Sequence, residues 1–108
     1  IIGNVKGKTC IIVDDIIDSG GTIINAAKAL KDRGAKEVYV YITHGVLSGE
    51  AVDKIKKSVI KNLVITDTID NQEKTKKAKN IEVLPISGLM GEAIKRISNS
   101  TSVSDLFK

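Results

Sequence analysis

The feature that most constrains the fold is an uninterrupted apolar run, Thr9–Val13, that ends abruptly at Asp14 and Asp15. The run is rich in β-branched residues and lacks the alternation of a half-exposed strand. It therefore predicts a strand that is buried on both faces, as in the centre of a parallel sheet. After a short loop, a helix is expected to begin at Thr22, and Gly34 suits the position just beyond its end. The apolar face of this helix is predicted to hold Ile23, Ala26, Ala27 and Leu30.

The same order of strand and helix recurs along the rest of the chain. After a strand at Glu37–Ile42, the sequence predicts a helix capped by Ser48, a strand at Leu63–Thr66, a polar stretch at 67–80 that forms a loop or a short exposed helix, and a strand at Ile81–Leu84. A last helix, capped by Ser87, is predicted to direct its apolar residues inward: Leu89, Met90, Ala93, Ile94 and Ile97. This alternation predicts an α/β fold with a mostly parallel sheet flanked by helices and right-handed crossovers.

Length and composition narrow the class of protein. The 108 residues, of which 42% are hydrophobic, suffice for one small domain or for a piece of a larger one. We find no apolar run near the roughly 20 residues that a membrane helix needs, and no secretory signal at the start of the sequence. The single cysteine, Cys10, lies inside the first apolar run and is expected to be a reduced core residue. These features favour a cytoplasmic protein without a membrane partner.

The charge pattern argues against a nucleic-acid partner. The net charge is only +4, and the lysines gather in the middle of the chain, within 54–61 and 74–79. A nucleic-acid-binding protein usually offers stacking aromatics or an arginine-rich face, whereas this chain has two tyrosines, one phenylalanine and no tryptophan. We interpret the lysine clusters as solvated surface.

The segment after the first strand carries the chemistry. Ligands of open parallel sheets bind beyond the carboxyl ends of the strands, and here two acids are followed by a turn of small residues at a helix start. The residues of that turn are Asp18, Ser19, Gly20, Gly21 and Thr22. Exposed backbone N–H groups and the helix dipole would favour a phosphate there. Asp14 and Asp15 point to opposite sides, so one of them can bind sugar hydroxyls or help to hold hydrated Mg²⁺.

A plainer interpretation is that Asp18 or Thr22 only caps the helix and that the glycines only form a turn. Two further acids at the end of an apolar strand favour a sugar-phosphate site instead. His44, the one histidine, follows a strand end and is expected to be a structural hydrogen-bonding residue. No spacing in the sequence suits a transition metal, so Mg²⁺ is the expected cofactor.

The segment Val13–Thr22 resembles the phosphoribosyl-pyrophosphate (PRPP) binding motif of type I phosphoribosyltransferases and of ribose-phosphate pyrophosphokinase, the PRPP synthetase family. Several further segments resemble the synthetase family: Thr43–Gly49, Thr66–Ile69, Ser87–Ile97 and Ser102–Phe107. The resemblance runs from about Ile2 to Phe107. It implies that residues 1–108 are an incomplete phosphoribosyltransferase-like domain, the C-terminal part of a synthetase.

The resemblance also implies an activity and residue roles. The full enzyme would transfer the diphosphoryl group of ATP to the C1 hydroxyl of ribose 5-phosphate, giving PRPP and AMP, within a homo-oligomer, a hexamer in this family. Asp14 and Asp15 would contact the ribose hydroxyls and Mg²⁺, and residues 18–22 would hold the 5-phosphate. The catalytic loop and most of the ATP site would precede Ile1, so we expect no catalytic residue within the chain and no synthetase activity from the chain alone.

Two other interpretations of the same motif remain open. A type I phosphoribosyltransferase would use the loop to bind PRPP itself, and a regulatory homologue would keep the loop without catalysis. Near the end of the chain, Ser102, Ser104 and Phe107 resemble a subunit-interface site for regulatory phosphate or ADP, although ordinary surface residues would look the same.

Overall fold

A computed structural model describes residues 3–99 and 102–107, with Phe107 described by its backbone alone. The elements in chain order are β1 Thr9–Ile17, α1 Gly21–Asp32, β2 Glu37–Gly45, α2 Ala51–Lys56, β3 Asn62–Thr66, α3 Gln72–Thr75, β4 Ile81–Leu84 and α4 Ser87–Ser98, followed by a 3₁₀ turn at Ser104–Phe107. The predicted α/β fold with a parallel sheet is confirmed.

The four strands form one parallel sheet in the order β1-β2-β3-β4. Every crossover therefore steps to the next strand in the same direction, and right-handed crossovers of this kind place all three connecting helices on one face. The core lies on that face. Val40, Leu63 and Ile81 are aligned across three strands, and they pack in one cluster with Ala27 of α1 and Ile55 of α2.

The prediction that the first strand is buried on both faces is wrong for the part of the chain that the structure describes. Ile11 and Val13 alternate with half-buried neighbours and are 54% and 74% exposed. The strand also continues through Asp14 to Ile17, because Ile16 and Ile17 pair with His44 and Gly45 of β2. Cys10 is a free thiol, half-buried against the core.

The inward orientation predicted for the last helix is also not observed. No residue of α4 is buried, and Leu89, Met90, Ile94 and Ile97 are exposed. The apolar stripe exists, but it is exposed rather than packed inward. In α1, Ile23 and Ala27 are buried as predicted, whereas Ala26 is exposed and the half-buried Ile24 contacts the core instead.

Three helix starts differ from the sequence prediction. α1 begins at Gly21 rather than at Thr22. α2 begins at Ala51 rather than at Ser48, and the Ser48 carbonyl accepts the Ala51 N–H at 3.1 Å. α4 begins at Ser87, but no side-chain hydrogen bond caps it. Within the described residues, no helix is long and apolar enough to cross a membrane.

Candidate functional site

The loop between β1 and α1 ends in an uncapped helix N-terminus. The first helical hydrogen bond runs from the Ile24 N–H to the Gly20 carbonyl at 2.9 Å, so the N–H groups of Gly21, Thr22 and Ile23 precede it and have no partner within the helix. Gly20 has φ +87°, the left-handed conformation that glycine adopts without strain, and no side chain caps the helix. This arrangement favours an anion.

The loop is tied to the segment that follows β2. The Ile17 carbonyl accepts the N–H groups of Val46 and Leu47 at 2.9 and 3.3 Å, and the Asp18 carbonyl accepts the Ser48 N–H at 3.1 Å. Ile17 is 2% exposed and Leu47 is fully buried. The backbone that enters the helix is therefore held on one side by hydrogen bonds and on the other by the core.

A depression of about 290 Å³ collects most of the predicted phosphate-loop residues. It is lined by Asp14 from the strand together with Asp18, Ser19, Gly20 and Thr22 from the loop. Within residues 3–99 and 102–107, the side chains of Asp18, Ser19 and Thr22 make no hydrogen bond. The interpretation that Asp18 or Thr22 serves only as the helix cap therefore finds no support in the geometry.

The structure places two of the predicted residues elsewhere. Asp15, on the opposite side of the strand from Asp14, does not line the depression, although its N–H donates to Asp14 Oδ1 at 2.7 Å. Gly21 lines a neighbouring groove, and a Cβ built on it would meet nothing within 4 Å. The glycine that the turn requires is thus Gly20 rather than Gly21.

A second depression, of about 420 Å³, adjoins the first through Asp14, which lines both. It lies on the sheet face away from the core, near the carboxyl ends of β2 and β3, where Tyr41, Thr43 and Thr66 contribute to its lining. His44 lies outside both depressions. Its Nδ1 is 2.8 Å from Thr68 Oγ1, a structural hydrogen bond of the expected kind.

The described residues could hold Mg²⁺ only together with substrate phosphates and water. Across the described part of the chain, no three His, Cys, Asp or Glu side chains are close enough to hold a metal together. Mg²⁺, however, is commonly held by one or two carboxylates with substrate phosphates and waters. Asp14 could supply one such carboxylate beside the anion-favouring loop, whereas Asp15 faces the other side.

Near the C-terminus, Ser102 and Ser104 lie together, with their Oγ atoms 2.8 Å apart. Arg96 of α4 donates from Nη1 to the Ser102 carbonyl at 3.0 Å, and its Nε bonds Glu92 Oε1 at 3.2 Å. The side chain of Phe107, the third residue of the predicted regulatory site, lies outside the described residues. The two serines are far along the chain from the depression at Asp14 and lie in none of the depressions described above.

Sequence reasoning missed two polar residues that support the carboxyl end of the sheet. Asn71, buried at 6% exposure, donates from Nδ2 to the Gly45 carbonyl at the end of β2. Asp67 Oδ1 accepts the Ile86 N–H at 2.9 Å and so ties the end of β3 to the start of α4. Asp67 directly follows a predicted strand, and that position could have identified it as a residue at the carboxyl end of the sheet. Asn71 lies in a polar stretch whose sequence does not distinguish it from its neighbours.

Comparison with known proteins adds a family and several relatives. Residues 1–108 match the model of a protein family described as the phosphoribosyl synthetase-associated domain. The chain is similar to the ribose-phosphate pyrophosphokinase of Hyphomonas neptunium, with 62% identity over 99% of the chain and 34% of the relative, and to that of Bradyrhizobium diazoefficiens, with 57% identity over the same shares. The chain thus spans about a third of the length of these relatives.

A solved structure agrees with the fold. The chain is similar to the phosphoribosylpyrophosphate synthetase from Mycobacterium smegmatis, with a TM-score of 0.87 and 37% identity over 92% of this chain and 33% of that one.

Proposed function

The chain belongs to the family of the phosphoribosyl synthetase-associated domain, and on this premise we propose that it is the C-terminal part of a ribose-phosphate pyrophosphokinase. Its role there is to hold ribose 5-phosphate. The loop at residues 18–22 binds the 5-phosphate, and Asp14 binds the hydroxyl end of the sugar.

One observation carries this proposal: an uncapped helix N-terminus and a strand-end carboxylate share a single depression. The N–H groups of Gly21, Thr22 and Ile23 supply donors for a phosphate. Asp14, whose Oδ1 is already engaged by the Asp15 N–H, keeps its other oxygen for a sugar hydroxyl. Donors at one end and an acceptor at the other match a molecule that is anionic at one end and hydroxylated at the other.

Asp18 has a separate role in the proposed site. A carboxylate beside a phosphate is unfavourable unless it accepts a hydrogen bond. Its side chain bonds no backbone N–H of the described residues, so it does not shape the loop through such bonds. We propose that the Asp18 carboxylate accepts a hydrogen bond from a hydroxyl of the bound sugar. Ser19 and Thr22 add hydroxyl donors to the phosphate.

Mg²⁺ is the proposed cofactor, with Asp14 as the carboxylate that faces it; Asp15 lies on the other side of the strand and does not share this ion. The ion would neutralise phosphate charge during transfer. Asp14 fits this role because it lines both depressions and so lies between the two regions that a substrate could occupy.

The proposed reaction transfers the diphosphoryl group of ATP to ribose 5-phosphate and yields PRPP and AMP. Such chemistry depends on positioning and charge neutralisation more than on a protein nucleophile. The ATP site and the catalytic loop are assigned to the part of the relatives that the chain does not span. The whole protein is proposed to act as a cytoplasmic homo-oligomer, with Ser102, Ser104 and Phe107 at a regulatory phosphate or ADP site.

The test uses a hybrid enzyme, defined as the Hyphomonas neptunium protein with its matching third replaced by this chain. In this hybrid, Asp18→Ala should weaken ribose 5-phosphate binding measured by calorimetry, by about tenfold for the loss of one charge-assisted hydrogen bond. Asp32→Ala is the matched control, because Asp32 ends the same helix and lies on the exposed surface. Equal affinities of the two variants would remove Asp18 from the site.

Substrate requirement separates the rival functions. The hybrid should release AMP only when ATP and ribose 5-phosphate are both present, and the 108-residue chain alone should release none. A requirement for PRPP and a base would indicate a phosphoribosyltransferase instead. Ribose 5-phosphate binding by the hybrid without AMP release would indicate a regulatory homologue.

A further inference from the structure

A depression of about 500 Å³ at the amino end of the sheet is lined mainly by lysines. The lysines are exposed, as expected of solvated surface, but they come from three separate stretches of the chain. We call this the basic depression and define it by the lysines that bracket the three connections between strands: Lys31, Lys36, Lys56, Lys61, Lys77 and Lys79.

The parallel topology brings these lysines together. Lys36 and Lys61 directly precede β2 and β3, and Lys79 lies two residues before β4. Neighbouring strands lie about 4.8 Å apart, so the three side chains start from neighbouring points along one edge of the sheet. The nine residues of β2 span about 30 Å between this edge and the carboxyl end, where the loop at residues 18–22 lies. The basic depression is therefore separate from the candidate site.

Attraction to helix C-termini explains only some of the lysines. Lys31 and Lys56 lie in the last turns of α1 and α2, where the helix dipole favours a cation. Lys36, Lys61 and Lys79 lie beyond the helices, where that effect has fallen off. Their presence in the same depression needs another cause.

The positive charge of the depression is poorly neutralised by the protein. Within residues 3–99 and 102–107, the amines of Lys36, Lys61 and Lys79 form no ion pair and no hydrogen bond. Glu37 is the one acid among the described lining residues, and its Oε2 accepts the Tyr39 hydroxyl at 2.9 Å. Like charges held together repel one another, and a bound anion would offset that repulsion.

We propose that the basic depression binds a linear polyphosphate, a chain of three or more phosphate groups. Lysine binds phosphate as a point charge, whereas arginine is preferred where carboxylates are bound through paired hydrogen bonds. None of the described lining residues is an arginine or an aromatic residue, which are the usual anchors of a protein partner. A chain with a negative charge on every unit contacts lysines from all three connections at once. This inference goes beyond the proposed function and does not depend on it.

Lysine acetylation of the hybrid enzyme, measured by peptide mass spectrometry, tests the proposal with sodium tripolyphosphate as the probe. At tenfold the half-saturating concentration, about nine tenths of the sites are occupied, so Lys36, Lys61 and Lys79 should be acetylated about tenfold more slowly. Lys28 and Lys95 are exposed and lie outside the depression, so their rates should not change.

Substituted hybrids test whether the protection depends on the charge of the depression. Lys36→Gln, Lys61→Gln and Lys79→Gln are combined, and Lys56 serves as the reporter. An exposed ion pair changes affinity by about 1.5- to 5-fold. The triple substitution should therefore raise the tripolyphosphate concentration that half-protects Lys56 by about 3- to 100-fold. The matched control removes the same charge from exposed positions outside the depression and should cause no shift: Lys28→Gln, Lys74→Gln and Lys95→Gln.

Two further probes separate a polyphosphate from ligands that carry bases. Tyr39 lines an adjoining depression and offers a ring for base stacking. ATP and a six-residue oligouridylate are therefore compared with tripolyphosphate at equal concentration. Weaker or equal protection by both supports the proposal, and stronger protection by either overturns it in favour of a nucleotide or a nucleic acid.

The acetylation rates can also overturn the proposal directly. Unchanged rates at Lys36, Lys61 and Lys79 would do so, and so would equal protection of Lys28 and Lys95, which would indicate unspecific binding. Slow acetylation of the depression before any polyphosphate is added would also contradict it, because another part of the polypeptide would then fill the depression. Equal shifts in the two triple variants would show that only the net charge of the protein matters.

Discussion

Replacement of Gly20 by alanine should destabilise the fold by an amount that follows from one backbone angle. Gly20 has φ +87°, and a left-handed conformation costs an L-residue about 1–2 kcal/mol. The added Cβ would lie 3.7 Å from Ile24 Cδ1 and 3.8 Å from Ile55 Cδ1, which are ordinary contacts, so no clash adds to that cost. At 1.4 kcal/mol per factor of ten, Gly20→Ala should raise the opening equilibrium about 5- to 30-fold.

Hydrogen exchange in the hybrid enzyme measures this change, because the slowest amides of β2 report the free energy of unfolding of the surrounding structure. Gly20→Ala should speed their exchange by the same 5- to 30-fold. Gly20→Asn should have a smaller effect, since asparagine tolerates the left-handed region better. Gly21→Ala should leave exchange unchanged or slow it, because Gly21 lacks a positive φ and its Cβ would enter open space.

Equal effects of Gly20→Ala and Gly21→Ala would refute the reasoning, as would alanine and asparagine acting alike at residue 20. Either result would mean that the loop does not depend on the left-handed angle of Gly20. The anion-favouring turn would then lack the backbone constraint on which its geometry depends.

Three further predictions concern the body of the sheet. Gly45→Ala would bring a Cβ within 2.6 Å of Ile65 Cδ1, and Ile65 is only 1% exposed, so the free energy of unfolding measured in urea should fall by about 1–3 kcal/mol. Ile65→Val should partly restore it, and additive effects in the double variant would contradict the clash. Asn71→Leu removes a buried donor to the Gly45 carbonyl and should cost about 1–3 kcal/mol by the same measurement, whereas an unchanged urea midpoint would show that the bond adds nothing. The hydrogen bond to Glu37, followed by burial, raises the pKa of Tyr39 above 10.0. The protonated phenol therefore stabilises the folded state at pH values below 10.0, and this stabilisation is lost as the pH rises through the raised pKa. Glu37→Gln should return the ultraviolet titration of Tyr39 toward pH 10.0, and an unchanged titration would exclude the carboxylate as the cause.

Elements with local signals were predicted from the sequence. The strand Ile81–Leu84 has its predicted bounds, because Pro85 follows it and the β-branched Ile81 and Val83 favour a strand. Gly34 has φ +93° just beyond α1, as its position after the last helical turn predicted. In both cases the deciding residues lie within the element or directly beside it.

Features that depend on a neighbour were not predicted. The extension of β1 to Ile17 follows from its pairing with Gly45, 28 residues away, which the local acids Asp14 and Asp15 obscured. The stripe of α4 was recognised from its period, but periodicity shows that a face is apolar and not what packs against it. At the candidate site, residue types identified the turn, whereas the distinction between Gly20 and Gly21 required backbone angles.

The strand order has a consequence for biosynthesis. Since β1, β2, β3 and β4 are neighbours in space in the order in which they occur in the chain, each strand can dock on its predecessor as it leaves the ribosome, and no segment has to thread past another. Assembly in chain order leaves two edges unpaired at each stage, the outer edge of β1 and the edge of the newest strand. β4 then joins a sheet in which β1, the strand that leads into the loop at residues 18–22, is already in place.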